Sequence, residues 1–309
     1  MRKEIKYKGI NWVDIQQPDE NDVKFLRTSF KFHPVVLSEI IPPSFFPQVK
    51  LFNKNYIYLV IYYPVFDKAK RETKPRELDI LITKNSVLTS HYQTILPLQS
   101  IFDEAALYED KSKKYLGQGT AFLLFYILES ITKNCIIKIN RIEQKINEVE
   151  GEIFKNKDKN KERELVQEIS ILKRDILDFH RIIWPQKKVF QELPVIADEF
   201  WGKEIGPYFS EVSGIFTIIW TQLETFKDTI ANLEETNNSI LSTKINEVMK
   251  ILTIFSVIML PLTFISSLFG MNLDFLPFAE NPFCFPFLVF LMLLLSFSMI
   301  FYFKKKKWL

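Results

Sequence analysis

Few side chains in this 309-residue chain are spaced for covalent or acid–base chemistry. Its three histidines, His33, His91 and His180, lie far apart, without the paired spacing that lets one helix face hold a zinc ion. The two cysteines, Cys135 and Cys284, cannot form a disulfide framework, and Cys284 falls inside an apolar run, so redox chemistry is not indicated. No Gly-x-x-x-x-Gly-Lys or Gly-x-Gly-x-x-Gly stretch is present to cradle a nucleotide phosphate, which argues against ATP-driven work by this chain alone. What remains is oxygen without catalysis: the triplet Gly270-Met271-Asn272, and acids along the helices. An amide oxygen accepts hydrogen bonds from the waters of a hydrated cation, and carboxylates bind a hard divalent cation directly. Each feature has a plainer reading. Gly commonly ends helices, Asn is tolerated there, and acids on exposed helices are often only solvated.

The triplet is positioned by two long apolar runs. The chain is 25% charged with a net charge of +3, yet no charged residue occurs from Ile251 to Leu273 or from Pro282 to Phe303. Each run reaches the roughly 20 residues that a helix needs to cross a bilayer core. Between them lies only Asp274-Phe275-Leu276-Pro277-Phe278-Ala279-Glu280-Asn281, so the pair reads as a two-span hairpin and excludes a wholly soluble chain. The loop has no Lys or Arg, whereas Lys250 precedes the first span and Lys304-Lys305-Lys306-Lys307 follows the second; the positive-inside rule then puts both flanks in the cytoplasm. Met1 to Lys6 has no apolar core of a signal peptide, so residues 1–250 are expected to be cytoplasmic.

The first hundred residues mix strands and short helices. Ile5 to Ile15 reads as one strand, Pro18-Asp19-Glu20 as a helix start, and Pro34 to Ile41 as a second helix. Val49–Phe52, Tyr56–Tyr63, Leu78–Thr83 and Ser86–Thr89 are rich in the β-branched and aromatic residues that strands favour. From about Ala121 the pattern is helical: Ile137, Ile139, Ile142, Ile146 and Val149 recur at short steps among charges. A polar turn, Lys155 to Lys161, leads to a second long helix through Leu165, Ile169, Leu172, Ile176 and Ile183, making an antiparallel hairpin. No Gly or Pro interrupts the chain between Gly214 and Pro261, so a third helix from about Tyr208 to Phe269 would measure roughly 90 Å. Long uncapped helices need partners along their length, which points to self-assembly.

The expected fold class is thus an α/β cytoplasmic domain with a mixed sheet, followed by a long stalk helix and a two-helix transmembrane hairpin. Its divisions are 1–110, the α/β domain; 111–206, the helical hairpin; 207–250, the stalk; 251–272, the first span; 273–281, the external loop; 282–303, the second span; and 304–309, a basic tail.

The position of Gly270-Met271-Asn272, closing the first of two C-terminal spans at the outer face, resembles the signature of the CorA family of magnesium transporters. The resemblance extends through Ile183-Trp184-Pro185, Glu224-Thr225-Phe226-Lys227-Asp228, Asn246-Glu247-Val248-Met249-Lys250-Ile251-Leu252-Thr253 and Lys304-Lys305-Lys306-Lys307-Trp308-Leu309, and is clear from about residue 110 onward. It implies a homopentamer in the cell's inner membrane, with both termini cytoplasmic and the first spans lining one pore. Gly270, Met271 and Asn272 would form the selectivity filter. Asn272 would hold the hydrated ion through its waters, Gly270 would let the backbone turn sharply out of the helix, and Met271 would pack the loop. Asn246, Met249, Leu252, Leu260, Thr263 and Ser267 would line the pore, although Leu260 and Ser267 replace the family's commoner Met and Gly. Glu211, Asp67 and Glu235 would bind regulatory Mg²⁺ at subunit interfaces, Glu211 standing where many relatives carry Asp. Mg²⁺ is then both cargo and regulator, with no cofactor, nucleotide or nucleic acid and no enzymatic step.

A divalent ion crossing 100 mV, negative inside, gains about 4.6 kcal/mol, enough to drive uptake without a nucleotide. Two rivals stand beside this reading. One keeps the fold and changes the ion to Co²⁺, Ni²⁺ or Zn²⁺, against which the lack of His or Cys near the pore positions argues. The other is a two-span membrane sensor, which would usually carry a larger external domain than the short loop allows.

Overall fold

The computed structural model describes residues 1–44, 46–67, 72–155, 159–271 and 283–308, and the chain divides into two compact units, Met1–Glu234 and Glu235–Leu309. The first unit is built on six strands: β1 (Arg2–Tyr7), β2 (Ile10–Gln16), β3 (Gln48–Phe52), β4 (Tyr56–Asp67), β5 (Glu72–Ile82) and β6 (Ser86–His91). They lie in the order β1-β2-β6-β5-β4-β3, and only the β2–β6 pair, with Trp12 opposite Val87, is parallel. The sheet is therefore mixed, as the sequence suggests. Its middle strands read as unbroken apolar runs because both faces are covered. Val13, Tyr58, Val60, Leu81 and Leu88 pack with Leu26 of helix α1 (Glu20–Phe30) and with Val36, Leu37 and Ile40 of helix α2 (Pro34–Ile40). Their alternating neighbours Ile57, Leu59, Ile80, Ile82 and Val87 are equally buried on the other face.

Where the sequence suggests one strand from Ile5 to Ile15, the structure has two. Lys8 and Gly9 take positive φ angles of 45° and 81°, and the chain reverses there into a two-residue hairpin with Tyr7 opposite Ile10. Helix α1 begins one step later than its Pro-Asp-Glu start implies: Asp19 caps it, accepting from the Asp22 amide at 2.9 Å in a reciprocal capping box. His33 caps α2 through the Val35 amide at 3.2 Å. The other two histidines are also engaged, His91 with Gln93 and Asp14, and His180 with Glu224 at 2.5 Å.

The second face is covered by helices. Helices α3 (Leu96–Leu107) and α4 (Glu109–Leu116), absent from the sequence reading, precede α5 (Thr120–Lys155) and α6 (Lys159–Ile183). Residues Cys135, Ile139, Ile142, Ile146, Val149 and Ile153 form the buried stripe of α5, while Ile137, expected on it, is 51% exposed. Helix α5 is long and apolar enough to span a membrane, but 56% of its most hydrophobic window is buried inside the fold, against 6% and 0% for the two C-terminal candidates. It is a core helix. The same burial pushes the Cys135 thiol up to about 12, leaving no reactive thiolate at neutral pH. After α6 a short 3₁₀ turn, Trp184–Gln186, leads into α7 (Lys187–Trp201), another helix the sequence reading did not separate. Gln186 is buried and serves the edge of β4, accepting from the Tyr62 amide at 2.9 Å and donating to the Tyr62 carbonyl at 2.8 Å. Its side-chain amide thus replaces a strand where β3 has ended.

Two carboxyls lie on one face of β5. The Asp79 side chain accepts from the Tyr58 hydroxyl at 3.0 Å, and Glu77 accepts from the Ser44 amide and hydroxyl at 2.8 and 2.9 Å. Burial, and then the neighbouring charge of Glu77, push the Asp79 carboxyl well above its ordinary range. As a carboxylate its Oδ2 has no partner, whereas a proton there satisfies Glu77. The folded state therefore keeps a proton that the unfolded chain releases above about pH 4, so the contribution of this carboxyl to stability is greatest below that pH and declines as pH rises. Asp79→Asn keeps a donor and an acceptor without titrating. The fall in thermal midpoint between about pH 5 and pH 8 should be visibly shallower in this variant, and a slope equal to the parent's would remove Asp79 as the cause.

Helix α8 (Gly206–Phe269) contributes to both units. Within the first, Phe209, Val212, Phe216, Ile219, Leu223, Phe226, Ile230 and Leu233 alternate steps of three and four and are all buried. Phe216 stacks on Phe190 of α7 at 4.0 Å, and Lys173 of α6 pairs with Glu234 at 2.5 Å. Along its exposed side runs a threonine ladder. Thr217, Thr221, Thr225 and Thr229 each donate to the carbonyl four residues back, at 2.8–3.1 Å.

Candidate ion pathway

At about 100° per residue, Asn246, Met249, Leu252, Leu260, Thr263 and Ser267 fall within one stripe of α8 about 120° wide. All six are exposed, Leu260 at 71%. The opposite side of the same helix behaves differently: Ile254 is buried, and Ile258, Pro261, Leu262 and Ile265 are half-buried. In helix α9 (Cys284–Lys305) the half-buried residues Leu288, Leu291, Met292, Leu295, Ser296 and Met299, with buried Phe303, also share one stripe. That pattern is what two helices lying side by side produce. The second unit thus uses one face of α8 for its own hairpin and leaves the pathway face open.

The hydroxyls on the open face are oriented. Thr263 donates to the Met259 carbonyl at 2.9 Å, so its hydrogen is spent on the helix and its lone pairs face outward as acceptors. Thr253 and Ser256 do the same to Met249 and Leu252, at 2.8 and 2.9 Å. Both fall on or beside the stripe, and the sequence reading named neither; the three- and four-residue spacing from Met249 to Leu260 is the signal that finds them. An acceptor-only oxygen suits the water shell of a cation, which donates. Met249 and Leu252, 53% and 55% exposed, put an apolar band on the same stripe.

Helix α8 ends at Phe269, and the Gly270 amide still donates to the Ser266 carbonyl at 2.9 Å. The path of the chain beyond Met271 lies outside the described residues, and Gly270 itself does not take a left-handed φ. What glycine supplies is room: a Cβ would sit 3.2 Å from the Ser266 oxygen, tighter than ordinary contact. Met271 is 50% exposed. Asn272 and the loop acids Asp274 and Glu280 lie outside the described residues. So does Pro282, the first residue of the expected second span, whose helix is described from Cys284 to Lys305.

The three acids expected to regulate fall on different parts of the chain. Glu211 is exposed on α8 in the first unit, Asp67 ends β4 opposite Glu72, and Glu235 opens the second unit, also exposed. No cluster of three or more metal-binding side chains occurs among the described residues.

Comparison with known proteins adds to this geometry. The family described as CorA-like Mg²⁺ transporter protein matches residues 7–305. The cobalt/magnesium transport protein CorA of Thermotoga maritima is 30% identical over 300 residues, covering 96% of this chain and 83% of that one. The metal ion transporter YfjQ of Bacillus subtilis, so named provisionally, is 25% identical over 96% of this chain and 89% of its own. Among solved structures, the complete CorA magnesium transporter of Methanocaldococcus jannaschii superposes with a TM-score of 0.83 at 22% identity, covering 99% of this chain and 94% of that one.

Proposed function

The chain belongs to the CorA-like Mg²⁺ transporter family, and from that premise we propose that it is a homopentameric channel admitting hydrated Mg²⁺ to the cytoplasm, driven by the membrane potential and closed by cytosolic Mg²⁺. As a member of the family it is a membrane protein that transports divalent cations. The observation that carries the finer reading is the open stripe of α8, apolar at Met249 and Leu252, lined with outward-facing hydroxyl oxygens beyond them, and turned away from the stripe that α8 buries.

Mg²⁺ holds its waters tightly and demands near-octahedral geometry, so a pore that strips it would hold it too long. Five Asn272 side chains, with Gly270 and Met271 beside them, would instead bind the water shell. Asn246 at the other end of the stripe would offer a second ring of amides. Residues 251–272 and 282–303 would then be the spans, 273–281 the external loop and 1–250 the cytoplasmic part with its stalk at 207–250. This places both termini inside the cell membrane's cytoplasmic face, in keeping with the lysines at either foot. Glu211, Asp67 and Glu235 would bind the regulatory Mg²⁺ at subunit interfaces.

The test is Mg²⁺ uptake into proteoliposomes of the purified protein under an inside-negative potential, with internal Mg²⁺ varied. Uptake should fall as internal Mg²⁺ rises. Transport of Co²⁺, Ni²⁺ or Zn²⁺ without Mg²⁺ would keep the fold and change the cargo, and no divalent flux would end the channel reading. In the same assay Glu211→Ala should raise the internal Mg²⁺ needed for half-inhibition several-fold, about the loss of one carboxylate ligand per interface. An unchanged dose response would take Glu211 out of the sensor.

A further inference from the structure

The four lysines at the end of α9 have so far served only as an orientation signal, yet they are held in a defined arrangement. The helix does not fray into a tail. The Lys306 amide donates to the Tyr302 carbonyl at 3.0 Å, Lys307 takes a left-handed φ of 57° with its amide on Lys304, and the Trp308 amide returns to Phe303 at 3.0 Å. This is a helix-ending cap built from lysine where glycine is usual. The indole of Trp308 then stacks on the Phe303 ring at 5.9 Å. From the other helix of the same unit, the Lys250 ammonium donates to the Lys307 carbonyl at 3.2 Å, satisfying one of the carbonyls a helix end leaves over.

Two independent features set the depth of this foot. Tyr302 and Trp308, 57% and 47% exposed, are the amphipathic aromatics that sit at the headgroup boundary. The charge changes there as well. Across residues 236–271 and 283–308 the single acid is Glu247, against Lys244, Lys250 and Lys304 to Lys307. All four terminal lysines are exposed, and none takes part in an ion pair among the described residues. A plain solubilising tail would need neither a folded cap nor a cross-link to the first span.

We propose that the foot of the second unit is a binding surface for anionic phospholipid headgroups, presented by Lys304, Lys305, Lys306 and Lys307 and held at headgroup depth by Tyr302, Trp308 and the Lys250–Lys307 hydrogen bond. Lysines next to a membrane surface attract anionic lipid additively, and fixing four of them on one cap concentrates that attraction at one place. The surface is fitted to lipid phosphates because beside its lysines stand Tyr302 and Trp308, aromatics of the kind that favour the membrane–water boundary. A soluble anion would gain nothing from them.

The probe is the full-length protein in vesicles of phosphatidylcholine with a minority of phosphatidylglycerol, one of the two lipids carrying brominated chains. The quenching of Trp308 is the difference between the protein and Trp308→Phe, since Trp12, Trp184, Trp201 and Trp220 lie in the first unit. Per mole, brominated phosphatidylglycerol should quench Trp308 about threefold more than brominated phosphatidylcholine, and raised salt should erase the preference. The combined variant Lys304→Gln, Lys305→Gln, Lys306→Gln, Lys307→Gln should lose it at low salt; if that variant fails to insert, the salt series on the parent protein decides. Equal quenching by the two lipids at low salt would overturn the proposal. So would loss of the preference on adding inorganic phosphate at matched ionic strength, which would assign the lysines to a soluble anion. Because the readout is optical, a failure of Mg²⁺ flux leaves this test intact.

Discussion

Asn272→Ala should reduce Mg²⁺ uptake by at least about a hundredfold while the oligomer survives. A single hydrogen bond contributes about 1 kcal/mol net, but the proposed homopentamer would lose five at one level of the pore in one substitution, and a loss of even 3 kcal/mol exceeds a hundredfold. The alanine methyl offers nothing to the waters of the arriving ion, which must then be shed or leave unaccompanied. The fold should hardly register the change, because position 272 follows the last residue of α8, Phe269, by three positions in the sequence. The measurement pairs tracer flux into proteoliposomes with the mass of the purified assembly. Asn272→Asp sharpens it: a carboxylate ring should bind Mg²⁺ more tightly and release it more slowly, so that flux saturates at lower external Mg²⁺. Parent-like flux in Asn272→Ala would sink the filter assignment, and so the hydrated-ion reading with it.

The second large effect is expected in the opposite direction. On the proposed gating, replacing both Met249 and Leu252 by Ser should raise uptake at high internal Mg²⁺, where the parent would be closed, by about tenfold or more. An apolar band in a narrow pore excludes water, and an ion cannot cross where its shell cannot go. Each serine removes most of a large apolar side chain and adds a hydroxyl that can bond its own helix, as Ser256 does to Leu252 at 2.9 Å. Helix integrity should therefore be kept while the band becomes wettable. At low internal Mg²⁺ the two proteins should differ much less, because the parent is already open. The same residual flux in both at high internal Mg²⁺ would mean that closure lies elsewhere on the helix.

The elements most legible in the sequence were those with strong periodicity or a strong charge pattern. The apolar runs after Lys250 read as helices because nothing in them competes with that reading, and α8 was visible from the absence of Gly and Pro. The hairpin between Tyr7 and Ile10 was missed because its turn is Lys8-Gly9, without the Asn-Gly or Asp-Gly that usually announces one. Helix α7 was hidden by Pro185 and Pro194, since a proline inside a helix argues against it until tertiary packing decides. Ile137 was misplaced because Ile139 two residues on is the buried one, and the true stripe passes through Cys135. For the pathway, the family resemblance marked Asn246 and Thr263, but which face of α8 stays open follows only from where α9 lies.

The threonine ladder on α8 bears on how cheaply this surface changes its surroundings. Thr217, Thr221, Thr225 and Thr229 have already given their hydrogens to their own helix. A covering neighbour strands no donor, and departing leaves none begging for water. Their methyl groups gain a little from cover and their oxygens a little from wetting, so dry and wet conditions differ by little free energy. A side of the helix poised in that way is reversible by construction. It suits a contact that must form and part many times without either condition becoming a trap.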